Sequence, residues 1–141
     1  MSDRGAAPLA RITEQPIDET AVHAAVDGPE CGAILVFRGV IRNHDGGQSV
    51  SSLEYSSHPD AERFLADVVA EEAQRSGVAL AAVHRVGALE IGDAALVAAS
   101  AAPHRGEAFA ALERLVERIK HEIPIWKRQH FASGSSEWVG L

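Results

Sequence analysis

Lysine is nearly absent from this sequence. Two of 141 residues are lysine, Lys120 and Lys127, and the other eleven permanent cations are arginine. Cysteine is scarcer still. Cys31 stands alone, which excludes an intrachain disulfide and leaves too few thiols for a cysteine-based zinc site. It opens an apolar run and reads as a small buried hydrophobe. No segment approaches 18 uninterrupted apolar residues, so no membrane-spanning helix is expected. Residues 1–8 have no apolar stretch of the kind a signal peptide needs. They are expected to be a disordered start to a cytoplasmic protein. Positive charge is also in deficit: 13 Lys and Arg against 20 Asp and Glu give a net charge of -7. That argues against a general nucleic-acid binder, but leaves room for a local basic pocket. The seven histidines show no HExxH or other metal spacing, and no metal or cofactor is expected. The GxxxxGK[ST], GxGxxG and GxSxG patterns are missing, as are repeats and low-complexity tracts.

What remains is an ordinary globular composition, 46% hydrophobic and 23% charged, sufficient for one domain over 9–141. Leu9 to Thr13 alternates as a strand, and Asp18 caps a short helix through Val26. Gly32 to Ile41 reads as a buried strand. Arg42 to Ser49 is a polar, Gly-rich segment expected to be a mobile loop. Val50 to Ser56 resumes strand character, with Leu53 and Tyr55 on one face. A helix follows from Pro59-Asp60 to Arg75, with Phe64, Leu65, Val68 and Val69 as its apolar stripe. Strands are expected at 78–86 and 94–101, with a shorter one near 88–91. A long helix runs from His104 to Ile123. Its apolar face carries Ala108, Phe109, Leu112, Leu115, Val116, Ile119 and Ile123. Pro124 ends it, and strands at 125–131 and 137–139 close the chain. Strands outnumber helices, which predicts an α+β fold with helices on a mainly antiparallel sheet.

Both lysines flank Pro124. Lysine is a compact amine, whereas arginine is a permanently charged fork, so placing both amines here points to an anion pocket or to acid/base chemistry. The competing reading is two solvated surface lysines. At about 100° per residue, Lys120 falls ~80° from Leu112, on the rim of the apolar stripe. His104 and Arg105 open the long helix, where free N–H groups and the positive dipole end suit an anion. Arg42-Asn43-His44 follows a strand end and suits ligand contact, although taken alone it reads as an ordinary polar loop. Trp126 reads as a core residue.

Several patches together resemble the large, catalytic subunit of molybdopterin synthase. They are Gly32-Ala33-Ile34-Leu35-Val36-Phe37-Arg38-Gly39-Val40-Ile41-Arg42-Asn43-His44, Leu53-Glu54-Tyr55, His84-Arg85-Val86-Gly87 with Gly92-Asp93, and His104-Arg105. The run Lys120-(x)3-Pro124-(x)-Trp126-Lys127-Arg128 and the pair Trp138-Val139 complete the set. The resemblance implies an α/β hammerhead-like fold with an additional antiparallel sheet. It implies sulfur transfer from a thiocarboxylated, ubiquitin-like small subunit to cyclic pyranopterin monophosphate (precursor Z), which gives the molybdopterin dithiolene. It also implies a homodimer at the centre of a heterotetramer. Lys120 and Lys127 become the catalytic candidates, and Arg42, His104, Arg105 and Arg128 the substrate-binding ones. The sequence departs from the family pattern at Val40, where a basic residue is common, and in its short tail after Trp138-Val139. Two other functions compete: a non-catalytic adaptor that clamps the tail of a ubiquitin-like protein, and an enzyme that forms a Schiff base through one lysine.

Overall fold

The computed structural model describes residues 8–140, so all but the last residue of the expected disordered start, 1–8, lies outside the described residues. The elements run β1 (Ala10–Thr13), α1 (Glu19–Val26), β2 (Ala33–Val40), β3 (His44–Asp45), β4 (Gln48–Ser57), α2 (Ala61–Ser76), β5 (Ala79–Arg85) and β6 (Gly87–Glu90). They continue with β7 (Ala94–Ala102), α3 (Arg105–Glu122), β8 (Ile125–Phe131) and β9 (Ser136–Gly140). This is an α+β fold of two sheets. The first has strand order β1-β5-β7-β2, with only β1 and β5 parallel. The second has order β3-β4-β8-β9, with β6 also pairing β4.

Local chemistry sets the boundaries. The Asp18 carboxylate accepts from the Ala21 N–H and starts α1. Gly77 ends α2 at φ 72°, the left-handed cap that glycine adopts without strain. Ile123, just before Pro124, is extended at φ -86°, ψ 129° and stops α3.

Strand β7 lies at the centre of the first sheet. Its Leu96, Ala98 and Ala102 face α2 and α3, while Val97, Ala99 and Ala101 face α1. The small side chains let helices lie close on both faces, and the buried Ser100 hydroxyl donates to the Ala108 carbonyl of α3 at 2.9 Å.

Three expectations are corrected. Strand β2 is not buried: it is the outer strand of its sheet, and Val36, Phe37 and Val40 are 42%, 37% and 42% exposed. A continuous apolar run does not distinguish a central strand from an edge. The segment after it is not simply a mobile loop. It folds into β3 and the start of β4, joined at Gly46 (φ 56°) and Gly47 (φ 80°). Two successive positive φ values make the tight hairpin turn that matches strand twist. Phe109, placed in the α3 stripe by its periodicity, is 59% exposed.

Helices α2 and α3 are fastened by Glu72, the one fully buried carboxylate among the described residues. It accepts from Arg75 at 3.3 Å, Arg114 at 3.4 Å and Arg118 at 3.2 Å. Arg118 also binds Glu71 and Glu122, and its hydrogen bond holds the Glu122 carboxyl below the usual range. Replacing Arg118 by Ala is expected to cost roughly 2 kcal/mol in urea unfolding. That is below the 3–5 kcal/mol for an orphaned buried charge, because Arg75 and Arg114 stay on Glu72.

The two sheets meet at Tyr55, which packs against the cluster under α2 and α3 and against a separate cluster of Ile41, Val50, Leu53, Leu89, Ala95 and Phe131. Its ring stands edge-on to His84 at 5.0 Å. His84 is buried and donates from Nδ1 to the Arg85 carbonyl at 2.8 Å. Burial pulls its pKa from 6.5 down to about 4. Between those values the unfolded chain binds a proton that the folded one refuses. Stability is therefore whole above pH 6.5 and falls as pH drops toward 4. At roughly 1.4 kcal/mol per tenfold change, the loss approaches about 3 kcal/mol. Urea melts between pH 7 and 4 should show this slope in the wild type and a flatter one in His84→Gln.

Candidate active site

Strand alternation decides which residues of β8 face inward. Ile125, Lys127, Gln129 and Phe131 share one face, and Trp126, Arg128 and His130 take the other. Lys127 lies directly across from Tyr55 on β4 and from Val139 on β9. Its side chain is half-buried between the buried Ile125 and Gln129. Gln129 donates to Asp45 at 2.8 Å, and Asp45 also pairs with Arg42 at 3.5 Å. The Asp45 carboxyl is held below its usual range, first by the Gln129 hydrogen bond and then by the charges of Lys127, Arg42 and His44. Arg42 pairs with this carboxylate and the Lys127 charge acts on it, although the two lie 85 positions apart in sequence.

Lys120 lies in the last turn of α3 and is exposed. The side of α3 that carries Arg114 and Arg118 faces α2. Lys120 is on the opposite flank, with Phe109 and Val116, by helical periodicity. Among the described residues, the side chains of Lys120, Lys127, Arg105 and Arg11 make no hydrogen bond or ion pair, whereas most arginines are tied to carboxylates.

His104 and Arg105 sit at the other end of α3. With Gly32, Ala33, Pro103 and Gly106 they line a cavity of about 440 Å³. A Cβ on Gly32 would come within 2.7 Å of the Pro103 carbonyl oxygen, so a side chain there would displace the cavity wall. His104 is the N-cap residue and its side chain makes no capping bond. The first N–H groups of the helix are left open toward an anion. A larger cavity of about 1040 Å³, between β1, α2 and β5, is lined by none of the expected site residues.

The structure brings Arg42 and Lys127 together, but not the whole expected set. Arg105 and Lys120 are separated by fifteen helical residues, about 22 Å. Arg128 is on the far face of the sheet from Lys127. There it lies over the Trp138 ring at 5.6 Å and donates to Ser136 Oγ at 3.2 Å. Trp126, expected in the core, shares that outer face and is 44% exposed. Sequence reasoning gave no role to Asp45, Gln129, Tyr55 or His84. The β4–β8 pairing that sets Tyr55 and Gln129 beside Lys127 joins segments some 75 residues apart, and no local pattern carries that signal.

Comparison with known proteins places this geometry. The family model described as MoaE protein matches residues 12–122. The molybdopterin synthase catalytic subunit 1 of Mycobacterium tuberculosis is 45% identical over 138 residues, covering 96% of this chain and 93% of that protein. The molybdopterin synthase catalytic subunit of Bacillus subtilis is 40% identical over 131 residues, covering 92% and 83%. The crystal structure of molybdopterin synthase from Staphylococcus aureus superposes with a TM-score of 0.86 at 34% identity, covering 94% of this chain and 97% of that one. With the family model covering most of its length and relatives this similar, the chain belongs to the MoaE protein family.

Proposed function

We propose that this chain is the catalytic subunit of a molybdopterin synthase, a sulfurtransferase of molybdenum cofactor biosynthesis acting in the cytoplasm. In this reading residues 9–141 work as one domain. Sulfur comes from the thiocarboxylate on the C-terminal glycine of a small ubiquitin-like subunit. It passes to cyclic pyranopterin monophosphate and builds the dithiolene. The relatives bearing the catalytic-subunit name support this over almost the whole chain. The observation that carries it is the end of α3. Two lysine amines, neither bonded to a carboxylate, flank Pro124 with Arg42 close by, in a protein of net charge -7.

A phosphate ester and a thiocarboxylate are both anions and need cations: the side chains of Lys120, Lys127 and Arg105 have no carboxylate partner, whereas Arg42 shares Asp45 with Gln129. Lys120 stands by the thiocarboxylate and assists attack and proton transfer. Lys127, seated beside Tyr55, binds substrate or stabilises developing charge. Arg42, His104 and Arg105 hold the phosphate or the pterin. Arg128 braces β8 against β9 from the far face, and so fixes the strand that carries Lys127. One copy cannot put Arg105 and Lys120 on the same small substrate across about 22 Å. The reading therefore includes a homodimer in which a second copy supplies the missing end.

The test is turnover. Wild-type chain, thiocarboxylated small subunit and precursor Z are mixed, and molybdopterin is measured as its fluorescent oxidation product. Lys120→Ala is expected to lower the rate at least ~100-fold, the scale of a lost acid/base group, with an unchanged melting temperature. Lys127→Ala is expected to fall comparably. Tight binding of the small subunit by wild type without product would favour the adaptor reading. Borohydride trapping of substrate on either lysine would favour the Schiff-base reading.

A further inference from the structure

Tyr55 is the single tyrosine of the chain, and among the described residues its hydroxyl makes no hydrogen bond. The side chain is half-buried and packs against two core clusters, where a tyrosine hydroxyl normally finds a partner. The polar groups around it are committed elsewhere. His84 donates to the Arg85 carbonyl, and Asp45 accepts from Gln129 and Arg42. A donor left over in such a place points to an acceptor from outside the chain, either water or a ligand.

The register of the second sheet shows what stands beside it. Tyr55 pairs with Gly87 on β6 and with Lys127 on β8, and Lys127 pairs with Val139 on β9. Directly opposed residues of antiparallel strands point to the same face, with Cβ atoms about 5 Å apart. Gly87, Tyr55, Lys127 and Val139 therefore form one row on the inward face of the sheet. Gly87 is at φ 99°, and a Cβ there would meet nothing within 4 Å, so the row has open space on the far side of the tyrosine. Its two polar members, a phenol and an amine, are neighbours, and neither side chain has a partner in the chain.

We infer that the Tyr55 hydroxyl is a substrate-binding group, donating a hydrogen bond to an oxygen of the same phosphate or carboxylate-type anion that Lys127 binds. This rests on the functional reading for the identity of the anion, but not for the pairing of the two donors.

The two donors are complementary in kind. Lysine brings a charge on a flexible four-carbon stem. The phenol brings direction, because its ring stands edge-on to His84 at 5.0 Å and the His84 ring is itself held by the Arg85 carbonyl. Anionic oxygens have lone pairs enough for both. Burial raises the Tyr55 pKa, so the hydroxyl keeps its proton near neutral pH and serves as a donor. A second cation in its place would weaken the charged form of Lys127, whereas a neutral donor adds a hydrogen bond without that effect. A donor fixed in advance needs no reorganisation when the charge of the ligand arrives.

A single tyrosine makes the test direct. In protein labelled with ¹³Cζ-tyrosine, one resonance reports whether the hydroxyl gains a hydrogen bond. It is followed while inorganic phosphate, or a peptide ending in Gly-Gly with a free carboxylate, is added. At least one of the two should move the wild-type resonance to saturation, and the shift should vanish in Lys127→Ala. A response to phosphate alone assigns the hydroxyl to the pterin substrate, and a response to the peptide alone assigns it to the sulfur-donor tail. No shift with either anion would overturn the inference, as would a shift that persists undiminished in Lys127→Ala. Turnover gives a second reading. Tyr55→Phe keeps the ring and its contact with His84, and should melt close to the wild type. Its kcat/KM should fall at least about tenfold, the scale of a lost hydrogen bond to a charged group. A kcat/KM equal to that of wild type would also overturn the inference. A wild type whose resonance responds as expected but that makes no molybdopterin would sink the functional reading and leave the hydrogen bond standing.

Discussion

Three candidates for chemistry, His104, Arg105 and Lys120, are carried by α3, and α3 is oriented by one buried carboxylate. Glu72 gathers three arginines from two helices. Burying a charge is costly, and such networks add little net stability beyond what apolar packing would supply. What this one contributes is rotation. Arg114 and Arg118 can reach Glu72 only if that side of α3 turns toward α2, and periodicity then sends Lys120 and Phe109 to the opposite flank. The Ser100 hydroxyl holds the start of the helix to β7, and Pro124 fixes its end. With rotation, start and end all set, the amine at Lys120 has one direction to point.

The second sheet solves a different problem, which is how an acidic protein keeps a cation ready for a ligand. Lys127 is seated among Tyr55, Ile125 and Gln129, with Asp45 near but shared with Arg42 and Gln129. A carboxylate divided among several donors orients them without capturing any one. Tyr55 and His84 fill the space behind with an uncharged aromatic pair. Burial raises the pKa of the tyrosine and lowers that of the histidine, so both are neutral near pH 7 and add no competing charge.

Much of this was legible in the sequence. Asp18 and Pro124 marked helix boundaries within a residue or so, because capping and proline chemistry are local. The unusual placement of two lysines around Pro124, and the resemblance built on it, pointed to this end of α3 before any fold was known. What was not legible is non-local. The apolar run at β2 looks the same whether a strand is central or outermost. Trp126 and Phe109 fit core patterns yet are exposed, because their faces depend on which neighbours the chain brings there. The distance between Arg105 and Lys120 was implicit in a straight helix of eighteen residues, but only the fold shows that nothing in one copy folds back to shorten it.

The elbow at Pro124 has a consequence for how this chain can change length. Ile125 donates back to the Ile123 carbonyl at 2.8 Å, and His58 donates to Pro124 at 3.0 Å, so the turn from helix to strand is tight and tied down. Strand β8 enters from it with a fixed parity. One residue inserted or removed between Ile123 and Ile125 would exchange the two faces of β8. Lys127 and Gln129 would go outside, and Trp126 and Arg128 would be forced toward Tyr55. Two residues would restore the faces but shift the register against β4 and β9. The catalytic candidate on β8 is thus specified less by its own environment than by an odd-or-even count, which makes this short turn intolerant of a single-residue insertion.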